Sequence, residues 1–147
     1  MRLRSCAILV LLLFGCVGSS GIHRSVGYQN LKEVQEYVDK GGNINARDSM
    51  KHTPLIHAAY YGSAPIVYYL CEKKADLNAQ DAEGRTALIW AAYYGHIEIT
   101  NFLLKSGADP NLKDVYGYNA LGYADKFGRE EIAASLKSYG AQPFFAK

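Results

Sequence analysis

Cysteine is scarce in this sequence. Among 147 residues there are three, Cys6, Cys16 and Cys71, and two of them lie in the first sixteen. That excludes a disulfide-rich scaffold, and a folded part holding Cys71 alone has no internal disulfide. Proline is rare as well, with four residues, and charged residues make up 20% against 49% hydrophobic. Such a composition excludes a disordered or fibrous chain and fits one globular domain with a small addition. Charge of one sign is also lacking. Sixteen Lys plus Arg face 14 Asp plus Glu, and setting aside Arg2 and Arg4, which precede every acid, leaves 14 against 14. A neutral domain has no basic field with which to displace counterions from a phosphate backbone, so nucleic acid is excluded as the main partner.

Catalytic patterns are missing too. The chain has no Gly-rich phosphate loop, no His-Glu-x-x-His and no Cys-x-x-Cys. Cys71 has no legible base or oxyanion site beside it and reads as a small core hydrophobe. The histidines are His23, His52, His57 and His96. His52 and His57 stand five apart across a turn-to-helix junction, a poor spacing for a shared metal ion. The expectation is therefore no enzyme, no catalytic residue, no cofactor and no metal.

No apolar run is long enough to span a bilayer as a helix, which takes about 20 residues. The longest, Cys6 to Phe14, follows Arg2 and Arg4 and precedes small residues. Residues 1–16 thus read as an export signal. Leu13-Phe14-Gly15-Cys16 resembles a bacterial lipobox, whose cysteine is lipidated and becomes the first residue, with Phe14 departing from the usual small or β-branched residue. The competing reading is ordinary cleavage a few residues later, near Gly18 and Ser20. Either way the protein is expected to leave the cytoplasm, as a periplasmic or envelope lipoprotein or as a secreted protein. Membrane contact would come only through a lipid at Cys16.

What the chain does have is a period. Thr53-Pro54-Leu55 recurs as Thr86-Ala87-Leu88 and as Asn119-Ala120-Leu121, at steps of 33 residues. Ala58-Ala59-Tyr60-Tyr61-Gly62 recurs as Ala91-Ala92-Tyr93-Tyr94-Gly95, and loosely as Ala124-Asp125-Lys126-Phe127-Gly128. Lys74-Ala75-Asp76-Leu77-Asn78 matches Gly107-Ala108-Asp109-Pro110-Asn111, and Gly41-Gly42-Asn43-Ile44-Asn45 falls on the same place one step earlier. The units run about 20–52, 53–85, 86–118 and 119–147. Thr53, Thr86 and Asn119 are helix N-cap types, and Pro54 suits a first helical position. Gly62, Gly95 and Gly128 mark chain reversals. The second helix of each unit is expected to bury Ile66, Val67, Tyr69 and Leu70, then Ile97, Ile99, Phe102, Leu103 and Leu104. Charged end units, with Lys32, Glu33 and Glu36 at one end and Arg129, Glu130, Glu131 and Lys137 at the other, read as solvated caps.

This period and these residues resemble the ankyrin repeat, whose unit is a β-turn and two helices with a Thr-Pro-Leu-His-x-Ala signature. The resemblance covers nearly everything after the signal and implies an all-α solenoid with β-hairpin loops, over residues 20–147. Two departures stand out. Ile56 and Ile89 occupy the place of the signature histidine, where apolar packing is expected instead. Lys51 replaces a turn glycine, so that turn is expected to be distorted.

The resemblance also implies a function, the binding of a protein partner by a monomer. Twelve tyrosines are many for such a chain. Tyr60, Tyr61, Tyr93 and Tyr94 end the first helices of two successive units, with Lys126 and Phe127 at the matching places of the next. In ankyrin proteins these positions and the hairpin tips, here including Arg85, Tyr116 and Tyr118, face a concave groove. Tyrosine offers large contact area with few rotors and one hydroxyl. Those nine residues are the expected partner-binding set, in a non-catalytic interaction module of the bacterial envelope. Some exported bacterial ankyrin proteins that support periplasmic peroxide defence beside a catalase resemble this chain too, and an effector secreted to act on host proteins is a third reading.

Overall fold

A Thr or Asn followed three residues on by a backbone N–H that its side chain can reach starts three of the four first helices. The side-chain oxygens of Thr53, Thr86 and Asn119 accept from the backbone N–H of Ile56, Ile89 and Gly122 at 3.3, 3.2 and 2.9 Å. The computed structural model describes residues 20–143. The export signal, the lipobox-like Cys16 and residues 144–147 lie outside the described residues. Eight helices follow in pairs: α1 Ser20–Gly27 and α2 Leu31–Asp39; α3 Pro54–Tyr61 and α4 Ala64–Glu72; α5 Ala87–Tyr94 and α6 Ile97–Lys105; α7 Ala120–Lys126 and α8 Glu130–Ser138. Among the described residues there is no strand. The expected hairpins close as turns, each by a backbone bond from Asp48, Asp81 or Asp114 N–H to the carbonyl four residues on.

Three of the four pairs reverse at a glycine, and the first reverses at Gln29, which takes φ 55°. Gly62 and Gly95 end α3 and α5 at φ 71° and 84°, the left-handed region that favours glycine. A Cβ on Gly62 would come within 2.6 Å of the His96 ring, so the next unit also needs the glycine's bare face.

The first helices α1, α3, α5 and α7 stack in order, and so do the second helices. Ala58, Ala59, Ala91 and Ala92 are fully buried between stacked first helices, where only a methyl fits. Leu55, Leu88 and Leu121 fill one recurring core position, and Ile66, Leu70, Ile99, Leu103 and Leu136 fill the layer behind it. Ile22 and Val26 extend that core into the first unit, as their alignment with Leu55 and Ala59 requires. Ile56 and Ile89 are buried. Tyr69, Ile97 and Phe102 are only half-buried, because they lie at the margin of the second-helix layer.

An asparagine ladder fixes the register of the stack. The side chains of Asn45, Asn78 and Asn111 accept from the backbone N–H of Asp76, Asp109 and Gln142 in the following unit, at 2.9, 2.9 and 2.8 Å. This is the physical content of the Gly-Ala-Asp-x-Asn motif. The Lys51 turn is not distorted. Lys51 takes φ 60°, beside 79° at Gly84 and 82° at Gly117, and closes the same bond to Asp48 that those glycines close to Asp81 and Asp114. A lysine bears strain there that glycine avoids.

Candidate functional site

Each loop tip is organised by one aspartate. Asp48 Oδ1 accepts from the N–H of Met50 and His52 at 2.9 and 2.8 Å. Asp81 does the same for Glu83 and Arg85, and Asp114 for Tyr116 and Tyr118. The second oxygen of each carboxylate reaches the helix nine residues on. It meets His57 Nε2 at 2.9 Å, accepts from Trp90 Nε1 at 2.9 Å, and accepts from the Tyr123 hydroxyl at 2.6 Å. One short acid thus shapes the tip and pins a ring of the first helix beside it. These paired anchors hold tips and first helices together as one face.

That face carries a continuous run of aromatic rings. Tyr60 lies 4.9 Å from Tyr61, 5.2 Å from Trp90 and 4.9 Å from Tyr94, centre to centre. Trp90 stacks on Tyr94 and meets Tyr93 edge-on. Tyr93 continues to Tyr123 at 5.3 Å and to Phe127 at 4.8 Å, and Tyr118 sits 5.1 Å from Tyr123. Edge-on and offset contacts at these distances are favourable beyond the area they bury. The run is anchored below and open above. Trp90 and Tyr123 are buried, whereas Tyr60, Tyr61, Tyr94, Tyr116 and Phe127 are exposed.

Two cavities open on this face. One of about 280 Å³ is lined by Met50, His52, Ile56, His57, Tyr60, Tyr61, Glu83 and Trp90. The other, about 350 Å³, is lined by Arg85, Tyr93, Tyr116, Tyr118, Tyr123, Lys126 and Phe127. All nine residues expected at a partner site are therefore on one surface, with Tyr94 joining the two cavities. Arg85 lies with its guanidinium 4.3 Å from the Trp90 ring centre and pairs with Glu83. Its Nε is buried with no hydrogen-bond partner among the described residues. Lys126 sits 5.0 Å over Tyr118. The hydrogen bond with Tyr60 pushes the Tyr94 phenol up to about 12, so that hydroxyl stays protonated and neutral.

The histidines are placed differently from what their spacing suggested. Stacking brings His23 from the first unit to 5.1 Å from the His57 ring, and His52 lies 5.0 Å from it on another side. His52 Nδ1 and His57 Nε2 both approach Asp48 Oδ2, at 3.1 and 2.9 Å. His23 Nε2 meets the His52 carbonyl at 2.9 Å, a tie across the repeat boundary. Burial raises the Asp48 pKa, but hydrogen bonds from His57 and His52 outweigh it and hold it at about 2. Burial holds His57 below the ordinary histidine range against the opposing pull of Asp48. His96 stands apart from this cluster, over Gly62 and 3.4 Å from the Tyr60 carbonyl.

Trp90 and Tyr123, the buried centre of the ring system, lie outside the set expected from the sequence, which rests on the paired tyrosines that end each helix. The signal was present: each tip aspartate is followed nine residues later by His57, Trp90 or Tyr123, all side chains able to donate a hydrogen bond. The opposite face carries a looser chemistry. Tyr68 donates to Glu98 there, and Tyr69 and Lys73 share Asp39. Cys71 is half-buried and free, and burial pushes its thiol up to about 11. No helix of the described residues is long and apolar enough to cross a membrane.

No curated protein matches the chain. A family comparison matches ankyrin repeats, in three copies, over residues 22–114. With that match over most of its length, and with helix pairs stacked at a 33-residue period, the chain belongs to the ankyrin-repeat family of protein-interaction modules.

Proposed function

We propose that this domain is a non-catalytic receptor for one protein partner, held in the bacterial envelope, and that it binds through the face made by the loop tips and first helices. One observation carries this reading: the unbroken ring-to-ring run from Tyr61 to Phe127, fixed from beneath by Trp90 and Tyr123 and open above. An apolar aromatic centre with Arg85, Glu83 and Lys126 at its margin has the anatomy of a protein interface. Its rigidity lowers the ordering cost that a partner would otherwise meet. The envelope setting rests on the signal-like residues 1–16, and anchoring on Cys16.

The test is site-specific photocrosslinking in the native envelope, with the reactive group at position 116 or at position 98. Capture of one defined protein from position 116 and not from 98 is expected. Tyr116→Ala should weaken that protein's binding by roughly thirtyfold, as about 2 kcal/mol at an aromatic anchor implies. Tyr116 is 65% exposed, so the loss of its ring should leave melting unchanged. Tyr94→Ala should weaken binding too, but it also removes packing on Tyr60 and Trp90 and should lower the melting point. Capture from position 98 alone would place the binding face on the second helices instead. Labelled palmitate tests the anchor separately: incorporation that Cys16→Ser abolishes is expected, and a soluble wild-type protein starting near Ser20 would overturn it.

A further inference from the structure

Three of the chain's four histidines meet around one carboxylate at the boundary of the first two units. The repeat accounts for only part of this. A ring that bonds the tip aspartate is common to all three tips, so His57 alone would be the counterpart of Trp90 and Tyr123. His23 is different. It aligns with Ile56 and Ile89, which are buried apolar residues, so neither later boundary sets a second imidazole beside the first.

We propose that His23, Asp48 and His57 form a binding site for a divalent transition-metal ion of the zinc class, with a fourth position open to water on the side of the cavity that His57 lines. One nitrogen from each histidine and one oxygen of Asp48 all lie within 4.8 Å of one another. Ligand atoms at 2.0–2.1 Å around a tetrahedral zinc stand about 3.3 Å apart. The His57–Asp48 pair, at 2.9 Å, is already close to that spacing. Rotation of the remaining side chain closes the set by about 1.5 Å at most. Two imidazoles and a carboxylate suit zinc, copper or nickel better than magnesium or calcium, which prefer oxygen ligands throughout.

The surroundings are those of a metal site. The His23 ring is held in place by the contact of its Nε2 with the His52 carbonyl. Asp48 is fixed by two backbone N–H groups on Oδ1, and its Oδ2, already in contact with His52 Nδ1 and His57 Nε2, is the oxygen that would meet an ion. His52 lies outside the set of three and contacts the same Asp48 oxygen at 3.1 Å, a contact that an ion would have to share or displace. The His57 and Asp48 side chains are 19% and 23% exposed, so an ion can enter from solvent. Three protein ligands with one open position is the arrangement of an exchangeable or reactive site, whereas structural zinc is closed by four. The site stands on its own residues and does not depend on the partner-binding reading.

The experiment is titration of the full chain, without a polyhistidine tag, with zinc chloride in a calorimeter, together with cobalt(II) absorption spectroscopy. One zinc per chain is expected, with a dissociation constant below ~10 µM, and a melting temperature that climbs with zinc concentration. Asp48→Asn keeps an acceptor for the tip and removes the anionic ligand. His57→Gln keeps a donor toward Asp48 and removes the imidazole. Each should weaken zinc at least tenfold while the helical circular dichroism is retained, and His96→Gln should bind like wild type. If the folded wild-type chain shows no saturable zinc binding and no cobalt bands, the proposal is wrong. It is equally wrong if Asp48→Asn and His57→Gln bind zinc as tightly as His96→Gln.

Discussion

The first and second loop tips share a backbone and differ in nearly everything that backbone displays. At both, an aspartate accepts from the N–H groups two and four residues on and reaches a ring nine residues on. At the first, the fourth and ninth positions are His52 and His57, half-exposed around Asp48. At the second, they are Arg85 and Trp90, and Asp81 is buried beneath them. The turn residue is Lys51 in one and Gly84 in the other, with φ 60° and 79°. The comparison separates two jobs. The aspartate and the turn dihedral make the fold, while the side chains at the fourth and ninth positions set the chemistry of the face and vary without disturbing it.

That separation can be broken most severely at the acid. Asp81→Ala removes the acceptor of two backbone donors and of Trp90 Nε1 in a buried place, and should cost about 3 kcal/mol in a denaturant melt. Asp48→Ala should cost about 2 kcal/mol, because water can reach the donors it leaves behind. Equal costs would mean that burial does not distinguish the two tips. Exchanging the turn residues gives the next effect. Gly84→Lys puts a side chain into the left-handed region, and its Cβ would stand 3.1 Å from the Asp114 Cα. It should cost about 2 kcal/mol. Lys51→Gly should instead stabilise the chain by about 1 kcal/mol, seen as a higher midpoint at unchanged slope. If Lys51→Gly destabilises, the lysine makes a contact worth more than its strain.

The last effect is one of rate and leaves stability unchanged. With its thiol raised to about 11, Cys71 is almost wholly protonated at pH 8. Alkylation by iodoacetamide should run about a hundredfold slower in the folded chain than in urea. The folded rate should rise about tenfold per pH unit until the pH nears 11, since only the thiolate reacts. A fast folded-state reaction at pH 8 would place Cys71 at the surface.

Much of this was legible in the residues. The 33-residue step, the capping Thr53, Thr86 and Asn119, and the reversing Gly62 and Gly95 specify paired helices in a stack, because each acts locally and repeats. The tyrosines at the helix ends mark the face that carries the aromatic run, for the same reason. What stayed hidden depends on contact between units. His23 stands 34 residues before His57, and only stacking, which sets each unit about 33 residues beside the last, makes them neighbours. Trp90 and Tyr123 look like ordinary core positions until their polar atoms are traced to Asp81 and Asp114. The Lys51 turn is expected from sequence to be distorted because glycine is the cheaper residue at positive φ. The hydrogen bonds around it outweigh that preference.

The asparagine ladder carries one more consequence, for how such a chain changes length. Asn45, Asn78 and Asn111 each hold a backbone N–H that lies 31 residues ahead. The last of these belongs to Gln142, after α8, where residues 140–142 repeat the step made by residues 107–109 in the unit before. Duplication of one whole unit therefore hands every asparagine an equivalent partner, whereas an insertion of any other size inside the stack presents it with the wrong one. Growth by copying complete units is neutral to the bonding scheme.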